Sequence, residues 1–152
     1  MRFLFLATLT LASCGKAEAG PAVPPSPSPI APRGTIEVTA KLVEVPGTFP
    51  ANKLYDYVYV LKYQVLAVHR GKVEGSEILV GQYNPLKARS AAQDKFSGTI
   101  GGTAQHFAAG DVHRLSLEEP LDSTMPLVGL IDKYLKEKGM RYWAVWTDEV
   151  RE

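Results

Sequence analysis

The sequence predicts a mainly β fold, a small closed β-barrel of about five strands with one α-helix in its C-terminal half. Three observations carry this expectation. Residues 35–42 alternate between apolar and polar, residues 55–68 form a long β-rich run that is apolar on both faces in its middle, and between 123 and 138 the apolar period lengthens from two to the helical value.

In the first element, Ile36, Val38, Ala40 and Leu42 alternate with Thr35, Glu37, Thr39 and Lys41, the pattern of a half-buried strand that stops at Pro46 and Gly47. In residues 55–68, Lys62 and Gln64 mark the outward side, so Leu61, Tyr63 and Val65, with Tyr57 and Tyr59, face the core. Val58 and Val60 lie on the opposite side. A strand this long and apolar on both faces is expected to coil round a barrel beneath a second layer. His69, Arg70, Gly71, Lys72 and Gly75 make a hairpin connection to a return strand at 77–83, ended by Asn84 and Pro85.

Residues 86–106 are small, polar and glycine-bearing, with Gly98, Gly101 and Gly102, and read as a long loop. They carry no Gly-Lys-Ser/Thr sequence of the kind that cradles phosphate. Gly110 and Asp111 turn into a strand at 112–118. Over 123–138, Leu127, Leu130, Ile131, Tyr134 and Leu135 share a helical face, with Pro126 in the first turn and Gly139 as the stop. Lys133, Lys136 and Lys138 would complement the carboxyl end of that helix dipole. A last strand at 140–147 carries Tyr142, Trp143 and Trp146.

Ahead of this domain lies a leader. Arg2 is its positive end and residues 3–12 its apolar core, too short to span a bilayer interior of about 30 Å. The run Leu11-Ala12-Ser13-Cys14 resembles the lipobox of bacterial lipoproteins, and Cys14 is the only cysteine in the chain. The resemblance implies cleavage before Cys14 and acylation of Cys14, several chains together making attachment effectively permanent. Gly15, where an aspartate would imply retention at the inner membrane, implies the outer membrane, facing the periplasm or the surface. Residues 16–33 are rich in Pro, Ala, Ser and Gly and read as a polyproline spacer of up to roughly 55 Å at about 3.1 Å per residue. The expected organisation is therefore a signal peptide at 1–13, a lipidated cysteine and stalk at 14–33, and a barrel domain at 34–152.

Two bounds follow. With Cys14 acylated, no thiol is left for a disulfide, a metal or a nucleophile, so the domain holds itself together by packing. Loss of Arg2 with the leader leaves 16 basic against 16 acidic residues, which gives no reason to expect nucleic acid as a partner.

The order of elements suggests an OB-like barrel. The run Tyr57-Val58-Tyr59-Val60 to Val65-Leu66-Ala67-Val68, then Arg70-Gly71-Lys72 and Glu77-Ile78-Leu79-Val80, resembles the strand, basic-glycine turn and strand of netrin and tissue-metalloproteinase-inhibitor OB domains. Gly110-Asp111-Val112-His113-Arg114-Leu115 is similar to the glycine turn into the next strand of that family. Its inhibitors act through a free amino-terminal cysteine and are stapled by disulfides; an acylated Cys14 and the absence of a second cysteine mean that this mechanism does not carry over. The stretches 55–86, 110–118 and 142–146 also resemble a domain associated with bacterial cell-surface polysaccharide acetylation.

Two residue sets could carry chemistry. His106, Asp111 and His113 could form a metal or acid-base set, Asp111 and His113 being two apart on a strand and so on one face about 6.5 Å apart. The alternative is a solvated turn. Tyr59, Tyr142, Trp143 and Trp146 could stack a ligand on an open barrel face, or pack in the core. Ser90, Ser97, Ser116 and Ser123 stand in no Gly-x-Ser-x-Gly sequence, and no catalytic residue or cofactor is indicated. The expected function is a lipid-anchored, non-catalytic envelope module that binds a glycan or an envelope protein. The alternative is a small metal-dependent or polysaccharide-modifying enzyme, or a subunit of one.

Overall fold

The alternation at the start of the domain becomes strand β1 (Ile36–Glu44), and the long two-faced run becomes β2 (Tyr57–Arg70). The structure, a computed structural model, describes residues 33–47, 57–92, 100–121 and 129–151. The leader, Cys14 and the stalk up to residue 32 lie outside the described residues. The remaining strands are β3 (Glu77–Tyr83), β4 (Val112–Glu118), β5 (Gly129–Ile131) and β6 (Arg141–Glu149), with one 3-10 turn at Arg89–Ala91. No helix among the described residues is long and apolar enough to cross a membrane.

β1 pairs with both β2 and β4, so the order β1-β2-β3-β6-β4 closes on itself into a five-strand barrel, and β5 lies beside β2 outside that ring. Neighbours are antiparallel except β3 with β6 and β2 with β5. Closure depends on β2. Residues 58–64 of this strand pair with β3, and residues 62–70 pair with β1. The β1 ladder skips Val43, Leu66 and His69 at its register shifts, and such bulges bend and twist the sheet enough to close it.

The pleat sorts β2 into two cores. Tyr59, Leu61 and Tyr63 point inward with Ile36, Val38, Leu42, Val80, Leu115, Leu117 and Tyr142. Val58 and Val60 point outward into a second layer with Leu79, Tyr83, Ile100, Leu121, Tyr134, Trp143 and Val145. The second layer fits because β3 carries Gly81 opposite Val60, where a Cβ would stand 2.7 Å from a Leu121 methyl.

Each end of the barrel is closed differently. At the β2–β3 hairpin, Gly71 takes φ +73° where a Cβ would meet the Thr35 carbonyl at 2.8 Å, and the Tyr142 hydroxyl accepts the Glu74 amide at 3.0 Å. At the other end residues 100–107, within the connection between β3 and β4, fold over the opening. Ala104 donates to Thr147 O and accepts from Arg89 N, while Ala104 and Phe107 join the inner core. Arg89 is only 2% exposed; its guanidinium stacks 4.9 Å above the Phe107 ring and donates to the carbonyls of Asn84 and Lys87. Burial pushes the Arg89 pKa down to about 10, still far above neutrality, so the charge stays. Beside it, Tyr63 bonds His113 Nδ1 at 3.1 Å, and Gln82 bonds Thr147 at 3.1 Å.

The helix expected at 123–138 is not formed over its described part. Residues 129–131 are instead β5, parallel to Tyr57–Tyr59, and 132–139 are turns; residues 122–128 lie outside the described residues. Two side chains explain the difference. Asp132 Oδ1 accepts the Tyr134 amide at 2.7 Å, a turn-forming bond that competes with helix. Arg141 then gathers the carbonyls of Tyr134 (2.7 Å), Glu137 (3.0 Å) and Gly139 (2.9 Å) and pairs with Asp132 at 3.1 Å. The carbonyls that a helix would bond along its axis converge on one guanidinium.

Arg141→Ala should therefore cost on the order of 2 kcal/mol and raise amide exchange across 132–139 while the inner barrel stays protected. Arg141→Lys should restore little, because one ammonium cannot serve acceptors arranged for a planar fork. Hydrogen exchange with urea unfolding checks both.

Candidate functional site

Among the described residues, a concave surface is built on the outward side of β2 and β3. Cross-strand partners share a face, so Lys62 with Leu79 and Gln64 with Glu77 point out of the barrel while Tyr63 with Ile78 point in. The hairpin turn adds Glu74 and Gly75 on one side, and residues 137–140 add Glu137, Lys138, Gly139 and Met140 on the other. Together they enclose a cleft of about 360 Å³. Its walls are held by bonds already described: the Tyr142 hydroxyl fixes the Glu74 amide, and Arg141 fixes the carbonyls of Glu137 and Gly139.

Lys62 joins the two walls. Its ammonium lies 2.7 Å from Glu137 and 4.8 Å from the centre of the Tyr134 ring, which locks the 132–140 lobe on to β2. The bond from Glu137, with the further fields of Glu77 and Glu44, raises the Lys62 pKa despite partial desolvation. Around this pair the cleft holds three carboxylates, Glu74, Glu77 and Glu137, against two ammonium groups, Lys62 and Lys138. Such a lining offers alternating donors and acceptors with a slight excess of negative charge.

The residues singled out in the sequence are distributed differently. Tyr59 and Tyr142 are inside the barrel, at 3% and 1% exposure, and Trp143 is in the second layer at 3%. Trp146 is half-buried on the outer surface, and its ring is already engaged by its neighbours. Gly101 lies so close to one side that a Cβ there would stand 2.6 Å from the ring, the Arg33 guanidinium stands 5.1 Å from the ring centre, and the indole N–H donates to Asp148 at 3.1 Å.

His106 and Asp111 do meet, with 3.7 Å between Nε2 and Oδ2, and Asp111 also accepts the Ala108 amide at 2.7 Å. His113 turns the other way, into the barrel, where it is 1% exposed between Tyr63 and Phe107. Burial pushes its pKa down to about 4, against the opposing pull of Asp111 and Glu149. Among the described residues no group of three or more His, Cys, Asp or Glu side chains is placed to hold a metal ion.

The residues that shape the cleft, Lys62 and Arg141, were not marked as functional by the sequence. Their one signal is Lys62 itself, a charge in the middle of an otherwise apolar run. Comparison of the chain with family models, with curated proteins and with solved structures gives no match.

Proposed function

We propose that this chain is a lipid-anchored binding module of the bacterial cell envelope, an OB-type barrel that holds a glycan segment in the cleft between β2, β3 and residues 137–140. The observation that carries this reading is the position of the cleft. In an OB barrel the ligand face is the outer side of the central strands, bounded by the connection between the fourth and fifth barrel strands. Here the fourth and fifth barrel strands are β4 and β6, and the connection between them supplies Glu137, Lys138, Gly139 and Met140.

The lining supports the ligand class. Two lysines among three glutamates disfavour a polyanion such as nucleic acid, whereas paired donors and acceptors suit the hydroxyl groups of a sugar chain. An envelope-protein segment is the other occupant that such a surface accommodates. The attachment reading rests on the lipobox residues and on the stalk composition.

Two measurements test it. Cys14→Ser should move the protein from the detergent phase to the soluble fraction; retention in the detergent phase would remove the anchor from the account. Titration with neutral oligosaccharides of envelope polysaccharides, followed by amide NMR, should shift resonances at 74–79 and 137–140. Glu77→Lys, at an exposed position, should weaken that binding about tenfold, one charge-assisted contact's worth, with no loss of stability. Binding unchanged in Glu77→Lys would place the ligand elsewhere.

A further inference from the structure

The lobe between β5 and β6 has a second surface, which adjoins the glycan cleft at Gly139 and Met140. Leu135 is 80% exposed and Leu130 40% exposed. Both line a groove of about 400 Å³ with Pro120, Leu121 and Met140. Exposed leucines scattered singly are ordinary on a protein surface, but these two border one groove and form a patch.

The charges around the patch say what covers it. Residues 133–138 read Lys-Tyr-Leu-Lys-Glu-Lys, and Lys133, Lys136 and Lys138 are all exposed. The only acid in that run, Glu137, is taken by Lys62 on β2, and Asp132 is taken by Arg141. None of the three lysines has an ion-pair partner among the described residues. The fold thus pairs the lobe's acids internally and leaves three exposed lysines within three residues of Leu135 along the chain. A whole-chain charge near zero conceals this local excess. Long lysine stems can turn their heads toward a charged plane while Leu135 enters it.

We propose that the lobe of residues 129–140 docks on an anionic lipid surface, Leu135 entering the headgroup region and Lys133, Lys136 and Lys138 lying against lipid phosphates. The docking needs no acyl chain. In the cell its occupancy rests on the proposed anchor, because a tether of some twenty residues turns a weak surface affinity into an intramolecular one. Docking would also set the barrel down with its glycan cleft beside the membrane, since Gly139 and Met140 line both surfaces.

The test uses the full chain with Cys14→Ser and Leu135→Cys, so that a polarity-sensitive dye can be attached at one thiol and no lipid is present. A second chain carries the dye at Gln105→Cys, an exposed position on the connection that closes the barrel. With vesicles of phosphatidylethanolamine and phosphatidylglycerol, the dye at 135 should shift to the blue and brighten several-fold, and the dye at 105 should not. Replacing Lys133, Lys136 and Lys138 by Gln should weaken the response about a hundredfold, at about fivefold per lysine near an anionic surface.

An unchanged dye at 135, an equal response at 105, or an equal response on pure phosphatidylcholine would each overturn the proposal. So would a response to soluble polyglutamate in place of vesicles, which would assign the surface to an acidic protein. Because the chain is unlipidated, these outcomes do not depend on the fate of Cys14.

Discussion

Gly102→Ala should destabilise the domain by about 4 kcal/mol, a large share of the roughly 5–15 kcal/mol available to a domain of this size. Gly102 has φ +126°, and a Cβ there would stand 1.9 Å from the Thr147 carbonyl oxygen and 2.5 Å from its carbon. Both atoms are backbone of β6 and cannot swing aside. On either side the chain is stitched to the same strand: Gly101 N to Val145 O at 3.1 Å, Thr147 N to Gly101 O at 3.0 Å, and Ala104 N to Thr147 O at 3.2 Å. These bonds carry Ala104 and Phe107 into the end of the barrel, so lifting the segment uncovers Arg89 and His113 as well.

The control is Gly110→Ala. Gly110 also has positive φ, +104°, but a Cβ there meets nothing within 4 Å. It should cost only the conformational strain, on the order of 1–2 kcal/mol. Urea midpoints of the two variants separate strain from collision; equal losses would show that the 100–104 segment does not hold the barrel end.

The second large effect is a fall in stability between pH 6.5 and 4. His113 is sealed in the barrel with its Nδ1 on the Tyr63 hydroxyl, and burial lowers its pKa to about 4 from an ordinary 6.5. The folded pKa is below the unfolded one, so in this window the unfolded chain binds a proton that the folded chain refuses. The stabilisation is therefore complete above pH 6.5 and is lost as pH falls toward 4, by about 3 kcal/mol in all. Carboxylates add their own losses at lower pH. His113→Gln removes only the histidine part, so its stability should change less than the parent's across the window by that amount. Parallel curves for the two proteins would mean that His113 already titrates in the folded state.

The strands were legible from the turns that bound them and from alternation along them. The strand expected at 77–83 coincides with β3, and the one at 112–118 with β4, because turn residues bound both and alternation runs through β4. The two-faced reading of β2 also matches its division between an inner core and an outer layer. The helix failed for a physical reason. Tyr134 packs in the second layer but Leu135 and Leu130 face solvent, so their helical spacing never formed a face. The bonds that decide the local structure come from Asp132 and from Arg141, the latter beyond the end of the expected helix.

The candidate site was less legible. Tyr142 and Trp143 are adjacent and point to opposite sides of β6, yet both are buried because the barrel has a second layer there. That layer is assembled from Ile100, Leu121 and Tyr134, which no local pattern connects. Arg89 lies in a short polar run and looks like a surface residue, but the turn at Arg89–Ala91 drives it into the barrel mouth. Lys62 was read only as the marker of an outward face, and that face turned out to be the floor of the cleft.

The central claim is that the working surface is the cleft on β2 and β3, with Tyr59, Tyr142, Trp143 and His113 committed to the core. Photo-crosslinking in the native envelope tests it most directly, with the reactive group placed in turn at Glu77, Lys138 and Gln105. Adducts to a glycan or to a discrete envelope protein from positions 77 and 138, with none from 105, are the predicted result. Adducts from 105 alone, or equally from all three, would contradict it.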